Sequence, residues 1–411
     1  MFLRSLNARI LAGGLAGVTA GLLISSVAPA HELAGPTLYT AKLIGTLFLD
    51  LLRMILIPLV FSSIVVGVAN LRAHHQIHRV WTTTLGFFAL SMAIAIVIGL
   101  GAAHIFRPGE GMQLEMFAEA TRNYQAKQMP LPEYIAQFAH GLFQNPVKAL
   151  AQGDILTVVI IALILGIALV IGGERYKNLL VLLQELLEIS MMIVGWIMRL
   201  APLGIMALLI NLAATQDMAL IKTLGYFVLV VIGTTLVHGV IALPLILYLV
   251  TGVTPLQFWR GAREALITAF ATSSSSATLP VTLRCVEQHL HVKRDIAGFV
   301  VPLGATVNMD GTALYEAVAA LFVANLAGID LSFGQQLVVF FTAMLGAIGA
   351  PGIPSAGMVT MIVVLQSVGL PVEAIAILLP IDRLLDTVRT AVNVEDDMIA
   401  SMVVQKLTRE S

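Results

Sequence analysis

From Leu331 to Val372 the chain carries no Asp, Glu, Lys or Arg, and midway through that run it reads Ala350-Pro351-Gly352-Ile353-Pro354-Ser355-Ala356-Gly357. The run is about twice as long as one membrane crossing needs. Two prolines and two glycines within eight residues stop a helix, so it reads as two short apolar helices joined by an irregular tip. Glu264 to Leu283 repeats the plan: Thr272-Ser273-Ser274-Ser275-Ser276 interrupts it, and these hydroxyls compete for backbone hydrogen bonds. Both segments are candidate re-entrant hairpins, since non-helical backbone at membrane depth survives only when buried in protein or lining an aqueous cavity. Each is followed by an apolar helix broken by charge, the first at Asn308-Met309-Asp310-Gly311-Thr312, the second across Asp382 to Asp397. Hairpin plus helix, twice, is the pattern of an internal repeat around a substrate site.

The remainder sets the environment. Of 411 residues, 58% are hydrophobic and 11% charged, with a mean hydropathy of +0.93, whereas soluble domains are about a quarter charged. A soluble fold is excluded. The length suits about eight to ten crossings. Unbroken apolar blocks such as Ile155 to Gly172 exclude an alternating outer-membrane barrel. A net charge of −1 implies no nucleic-acid surface. Cys285, the single cysteine, forms no internal disulfide, and no Asn-x-Ser/Thr acceptor occurs.

Apolar blocks run over 8–28, 38–70, 80–106, 154–173, 177–214 and 221–250. The first, after Arg4 and Arg9, reads as a retained span and not a cleaved signal. The second and fifth are too long for straight perpendicular helices, so tilt, or a break near Pro58 and Pro202, is expected. Basic residues mark every second connection: Arg4 and Arg9, Arg72 and Arg79, Arg175 and Lys177, Arg260 and Arg263. By the positive-inside rule the N-terminus is cytoplasmic and 107–153 becomes a long extracytoplasmic connection. His74, His75 and His78 fall in a basic cytoplasmic loop and read as solvated.

Asp382, Asp386, Arg389, Asn393 and Asp397 are spaced +4, +3, +4, +4, which places them within an arc of about 80° on one helix face. A lipid-facing carboxylate costs at least about 2.5 kcal/mol, so the stripe faces protein, water or a ligand. A structural salt-bridge ladder is the plain alternative. Three carboxylates against one arginine argue for a cation, either a metal ion or a substrate ammonium. Arg389 can clamp a carboxylate with two parallel hydrogen bonds while Asp386, one turn away, takes an ammonium. Together they suit a zwitterion with an additional acid group.

Asn308-Met309-Asp310-Gly311-Thr312 sets hard oxygen donors beside a helix-breaking glycine within an apolar span, which suits Na⁺. The amides and hydroxyls of the serine run can hold a substrate carboxylate at the positive end of the following half-helix. Glu316, four residues after Thr312, is a candidate proton carrier, with a satisfied structural role as the alternative.

These residues resemble the dicarboxylate/amino acid:cation symporter family, the sodium-coupled glutamate and aspartate transporters. The matching strings are Thr272-Ser-Ser-Ser-Ser-Ala-Thr-Leu-Pro280, Asn308-Met-Asp-Gly-Thr312, Gly352-Ile-Pro354 and Asp386-Thr-Val-Arg-Thr-Ala-Val-Asn393, specific over 255–404. The resemblance implies an all-α polytopic membrane protein with eight transmembrane helices, two re-entrant hairpins and inverted repeats. It further implies a homotrimer in the plasma membrane, a bacterial inner membrane, with both termini cytoplasmic. The scaffold would comprise 1–78 and 154–214. A transport domain would comprise helix 3 (79–106), helix 6 (215–254), hairpins 255–292 and 330–370, helix 7 (293–329), and helix 8 with the tail (371–411). That domain would slide in an elevator motion, and the chain would not be an enzyme.

By position, the resemblance assigns substrate contacts to Ser274, Ser275, Thr312, Ile353, Asp386, Arg389, Thr390 and Asn393. Arg389 would read the side-chain carboxylate, Asp386 the amino group, and Asn393 with the hairpin serines the main carboxylate. Co-transported Na⁺ would occupy two to three sites. These draw on Gly304, Asn308, Asn393 and Asp397, and on the carbonyls of Thr306, Met309, Ile348 and Ala350. A third, near Asn308 and Asp310, also draws on span 3, which here offers Phe88, Ser91 and Met92 and lacks the family's aromatic hydroxyl. Glu316 resembles the branch that couples to protons and countertransports potassium. Departures are Ser273 and Thr387, where many relatives place an arginine at one or the other, and Asp396-Asp397 in place of Gly-Asp.

Na⁺-coupled symport of L-aspartate or L-glutamate is the leading expectation. A proton-driven dicarboxylate or neutral amino acid carrier is the alternative within the class. An intramembrane hydrolase using Ser275 with Asp310 or Asp386 is the alternative outside it, and it lacks a positioned His or Lys base near the serines.

Overall fold

The computed structural model describes residues 6–27, 34–70, 78–112, 143–152, 155–215, 218–350 and 355–409, which are helical with no strand among them. His74, His75, Ile353, most of the 107–153 connection and the 351–354 tip lie outside the described residues.

The first six apolar blocks fold as expected, with α1 Leu6–Val27, α2 Ala34–Asn70 and α3 His78–Phe106. A short α4, Pro146–Gln152, precedes α5 Ile155–Gly172 and α6 Lys177–Thr215. Pro58 and Pro202 lie inside continuous helices, so the expected break is absent. At about 1.5 Å per residue these two helices exceed the bilayer core, which leaves tilt to absorb the excess. Among the described residues, three stretches, Arg79–Phe106, Ile160–Ile197 and Ala219–Thr251, are long and apolar enough to cross a membrane.

Helices α1, α2, α5 and α6 form one packed group. On α1, glycines recur every fourth residue, and each faces a carbonyl of α6. A β-carbon added at Gly17 would sit 2.5 Å from the Met206 oxygen, and one at Gly21 2.7 Å from that of Ile210; Gly13 meets Pro202 in the same way. Small residues at this spacing allow close backbone approach where lipid supplies no hydrophobic drive.

The sixth block is interrupted just before Pro244, whose missing N–H removes a bond back into the preceding turn. Helix α7, Met218–Val237, passes through a π-turn at His238–Ala242 into α8, Leu243–Thr251. Such bulges cluster at functional sites, and this one places His238 on the buried side.

The two helical hairpins begin with the same device. Thr254 and Ser332 each cap a helix in a reciprocal box with the glutamine three residues on, Gln257 and Gln335. The first hairpin is α9 Pro255–Thr272 and α10 Ser275–Arg284, with Ser273 left-handed (φ 51°) at the tip. The second is α13 Phe333–Gly349 and α14 Ala356–Ser367, with Ser355 left-handed (φ 60°) at the entry to α14. Between them the chain forms α11 Arg294–Val307 and α12 Asp310–Ala327, separated at Asn308 and Met309, where the sequence placed its break. The second expected break does not occur: α15 runs unbroken over Ile375–Arg409, its charged residues interrupting composition but not backbone. Helix α15 contacts α3, α8, α9, α11, α12 and α14, so its polar stripe lies inside protein.

Candidate binding site

The α11–α12 break and the middle of α15 meet face to face. Gly311 makes the approach possible, since a β-carbon there would lie 2.7 Å from the Arg389 carbonyl oxygen and 2.9 Å from its Cα. Asn393 spans the join: its Oδ1 accepts from the Gly311 amide (2.8 Å) and its Nδ2 donates to Thr312 Oγ1 (3.5 Å). Gly304, in the preceding helix α11, serves in the same way, its missing β-carbon leaving room for the Asp397 carboxylate.

Arg389 is fully buried. Its Nη2 donates to Asp382 Oδ1 (2.7 Å) and Asp386 Oδ1 (2.9 Å), and its guanidinium carbon lies 4.1 Å from the centre of the Tyr315 ring. The ring face stabilises a desolvated guanidinium. Nε and Nη1 of Arg389 have no partner, and Gly357, at the start of α14, lies beside Nη1. Nitrogen donors of a buried cation are therefore available to a carboxylate. No salt bridge of Arg389 therefore pins the stripe to a neighbouring helix. The ion pairs of Arg389 lie within α15 itself.

The count of three carboxylates to one arginine needs correction. Arg383, 5% exposed, lies 3.5 Å from Asp386 Oδ2, one turn away. The first turns of the stripe are therefore balanced, Asp382 and Asp386 against Arg383 and Arg389. Asp386 also accepts from the Ser355 amide (2.8 Å), which ties the second hairpin to α15.

Negative charge gathers further along. Asp310, Asp396 and Asp397 are all buried. Asn308 Nδ2 donates to Asp396 Oδ2 (2.5 Å) and Asp397 Oδ1 (3.2 Å), and Ser91 donates to Asp396 Oδ2 (2.9 Å). Asp310 Oδ2 accepts from His238 Nε2 (2.8 Å). The site therefore has a neutral half and an acidic half.

The serine run sits at the break between α9 and α10. Ser274 Oγ accepts from the Ala277 amide (3.1 Å) as the cap of α10, and Ser275 is buried at its first turn. Thr390 is buried, and Thr306 Oγ1 donates to the Leu303 carbonyl (2.8 Å), leaving its own carbonyl as the group assigned to sodium. The carbonyls of Ile348 and Ala350 belong to the end of α13, and Met309 to the α11–α12 break. Glu316 is buried and accepts from Thr360 of the second hairpin, while its Oε2 has no partner.

The sequence pattern does not mark His238, Arg383 as a partner of Asp386, the Tyr315 face, or Glu395, which is buried and accepts from Trp259 (2.8 Å). His238 was findable, because an ionisable residue within a span is a functional candidate by default. It bonds Asp310 and not a serine, so it supplies no base for a hydrolase at Ser275.

An all-helical membrane protein with a buried, half-neutral and half-acidic polar site between a broken helix and a continuous one is the class that fold and site define. The model of the sodium:dicarboxylate symporter family matches residues 6–407, and the chain belongs to that family. It is 31% identical to mouse excitatory amino acid transporter 3 over 100% of this chain and 87% of that protein. Rat excitatory amino acid transporter 2 is 33% identical over 97% of this chain and 78% of that protein. The figures for mouse excitatory amino acid transporter 5 are 35%, 89% and 76%.

Proposed function

We propose that this chain is a secondary active transporter that carries L-aspartate or L-glutamate together with Na⁺. The carrying observation is the division of charge in the site. A dianionic, monocationic amino acid needs an arginine with spare donors for one carboxylate and a carboxylate for its ammonium, and Arg389 and Asp386 lie one turn apart. Asn393, Thr312 and the hairpin serines Ser274 and Ser275 then surround the main carboxylate, with Thr390 beside them and Ile353 assigned by the family resemblance. The acidic half, with the Gly304, Thr306, Met309, Ile348 and Ala350 carbonyls, receives Na⁺ as hard oxygen ligands.

Coupling follows from the shared residues. Asn393 and the α11–α12 break belong to both halves, so cations that order the break also order the substrate contacts. Each charge moved across 100 mV supplies about 2.3 kcal/mol, so cations in excess of one anion drive accumulation. The group α1, α2, α5 and α6 serves as a scaffold in a homotrimer, and α3 with α7–α15 forms the moving domain of an elevator. Eight spans, two re-entrant hairpins in inverted repeat and cytoplasmic termini complete the arrangement in the plasma membrane. Glu316, bridging α12 to the second hairpin, is the candidate for proton or potassium coupling.

Asp386 decides between an amino acid and a bare dicarboxylate. In proteoliposomes with an inward sodium gradient, unlabelled L-aspartate should suppress labelled aspartate uptake at concentrations at least about 100-fold below those of succinate. That ratio corresponds to about 2.7 kcal/mol, the scale of one buried charge contact. Equal potency of succinate would remove Asp386 from amine recognition.

A further inference from the structure

The base of the first hairpin takes no part in holding substrate or sodium, yet α9 and the turn after α10 enclose an open cavity there. Its volume is about 430 Å³, within the range of roughly 300–1,000 Å³ for clefts that take small ligands. Gly261 sets its floor. A β-carbon at Gly261 would lie 2.6 Å from a Leu290 side-chain carbon and 3.4 Å from the β-carbon of His289, so the π-turn Cys285–His289 lies directly against α9. His291, left-handed at φ 55°, turns the chain onward. Gln405 of α15 holds that turn, donating to the His291 carbonyl (3.2 Å) and accepting from the Lys293 amide (2.7 Å). The walls are therefore fixed by the fold.

The cavity is cationic. Arg260 and Arg263 line it from α9, and His289 and His291 from the facing turn. Glu264, the acid in its lining, is taken by Arg284 (2.7 Å), and no described carboxylate pairs with Arg260 or Arg263. Guanidinium forks match phosphate oxygens, and imidazole N–H groups add donors. Leu256, Arg260, Arg263, Ile267 and Phe270 are spaced +4, +3, +4, +3, one face of α9 within an arc of about 80°. Ile267 is 68% exposed and Phe270 51%, so the cationic end of this face continues into bare apolar surface. That surface runs about 10 Å from Arg263 toward the hairpin tip. Charge at one end and hydrocarbon along the rest suit a phospholipid better than a free phosphate.

We infer that this cavity binds the phosphate headgroup of an anionic phospholipid of the cytoplasmic leaflet, with an acyl chain lying along Ile267 and Phe270. Basic pockets between membrane helices on the cytoplasmic side take such headgroups, and the positive-inside rule puts Arg260 and Arg263 on that side. About 15 Å of helix separates Arg263 from the hairpin tip, so substitutions in the cavity leave the substrate contacts in place.

The test is native mass spectrometry of the purified, detergent-solubilised protein titrated with phosphatidylglycerol, with phosphatidylcholine and inorganic phosphate as comparisons. Phosphatidylglycerol should bind saturably and at least about tenfold more tightly than either. In Arg260→Gln/Arg263→Gln its dissociation constant should rise about tenfold or more. Arg175→Gln/Lys177→Gln removes the same charge from another cytoplasmic connection and should bind as wild type. All four residues are exposed, so neither variant opens the core. Equal binding of phosphatidylcholine or of phosphate overturns the lipid assignment. Binding that survives the Arg260 and Arg263 substitutions, or falls equally in the Arg175 and Lys177 variant, overturns the site. Lipid binding is read without transport, so its failure leaves the proposed symport standing, and uptake indifferent to sodium leaves the lipid site standing.

Discussion

Arg389→Ala will abolish sodium-driven aspartate uptake, with substrate affinity falling about 100-fold or more. The guanidinium is fully buried, and two of its nitrogens have no protein partner, so its removal takes away the carboxylate clamp outright. It also orphans the buried carboxylate of Asp382 and leaves Asp386 with Arg383 and the Ser355 amide alone. Truncating one partner of a buried hydrogen-bonded charge pair costs about 2–5 kcal/mol, and about 1.4 kcal/mol is tenfold in affinity. Some of that cost falls on folding. Arg389→Ala/Asp382→Asn separates the two effects, because it removes one orphaned charge while leaving the clamp absent. The expected outcome is better thermal stability than the single variant with binding still lost, read by thermal unfolding and isothermal titration of the purified protein. Aspartate affinity within tenfold of wild type in either variant would contradict the assignment.

The second large effect should come from a methyl group. Gly311→Ala sets a β-carbon 2.7 Å from a carbonyl oxygen and 2.9 Å from the Cα of Arg389, both backbone atoms that cannot rotate away. Overpacking of this kind costs about 1–3 kcal/mol. Helix α15 must shift relative to the α11–α12 break, which separates the Gly311 amide from Asn393 and moves Arg389 with it. Aspartate affinity should fall about tenfold or more, and the sodium concentration for half-maximal uptake should rise. Gly298→Ala, in α11 with no heavy atom within 4 Å of the added carbon, is the matched control and should bind as wild type.

The hairpins and the α11–α12 break were legible because Gly, Pro and Ser runs within long apolar segments have few other physical explanations. The stripe was legible by its period, yet its charge was miscounted. Arg383 lies about 100° around the helix from Asp382, outside the arc, but a long guanidinium reaches a carboxylate at i+3, so periodicity alone undercounts it. The intact backbone of α15 was misread for the opposite reason. Charged residues are poor membrane neighbours but adequate helix formers, and burial against the surrounding helices removes the objection. Nor does Pro58 or Pro202 end its helix, since packing around a long helix overrides the loss of one hydrogen bond. His238 escaped because Pro244 marks an interruption but not which side chain it turns inward, and its partner Asp310 is 72 residues distant in sequence.

The claim on which the rest depends is that the acidic half of the site is there for sodium and the neutral half for an acidic amino acid. The most direct measurement is initial aspartate uptake into proteoliposomes with external sodium, repeated with choline in its place at equal ionic strength. Uptake should depend on sodium at every aspartate concentration and fall to the level of protein-free vesicles in choline. Equal uptake in the two salts would contradict it.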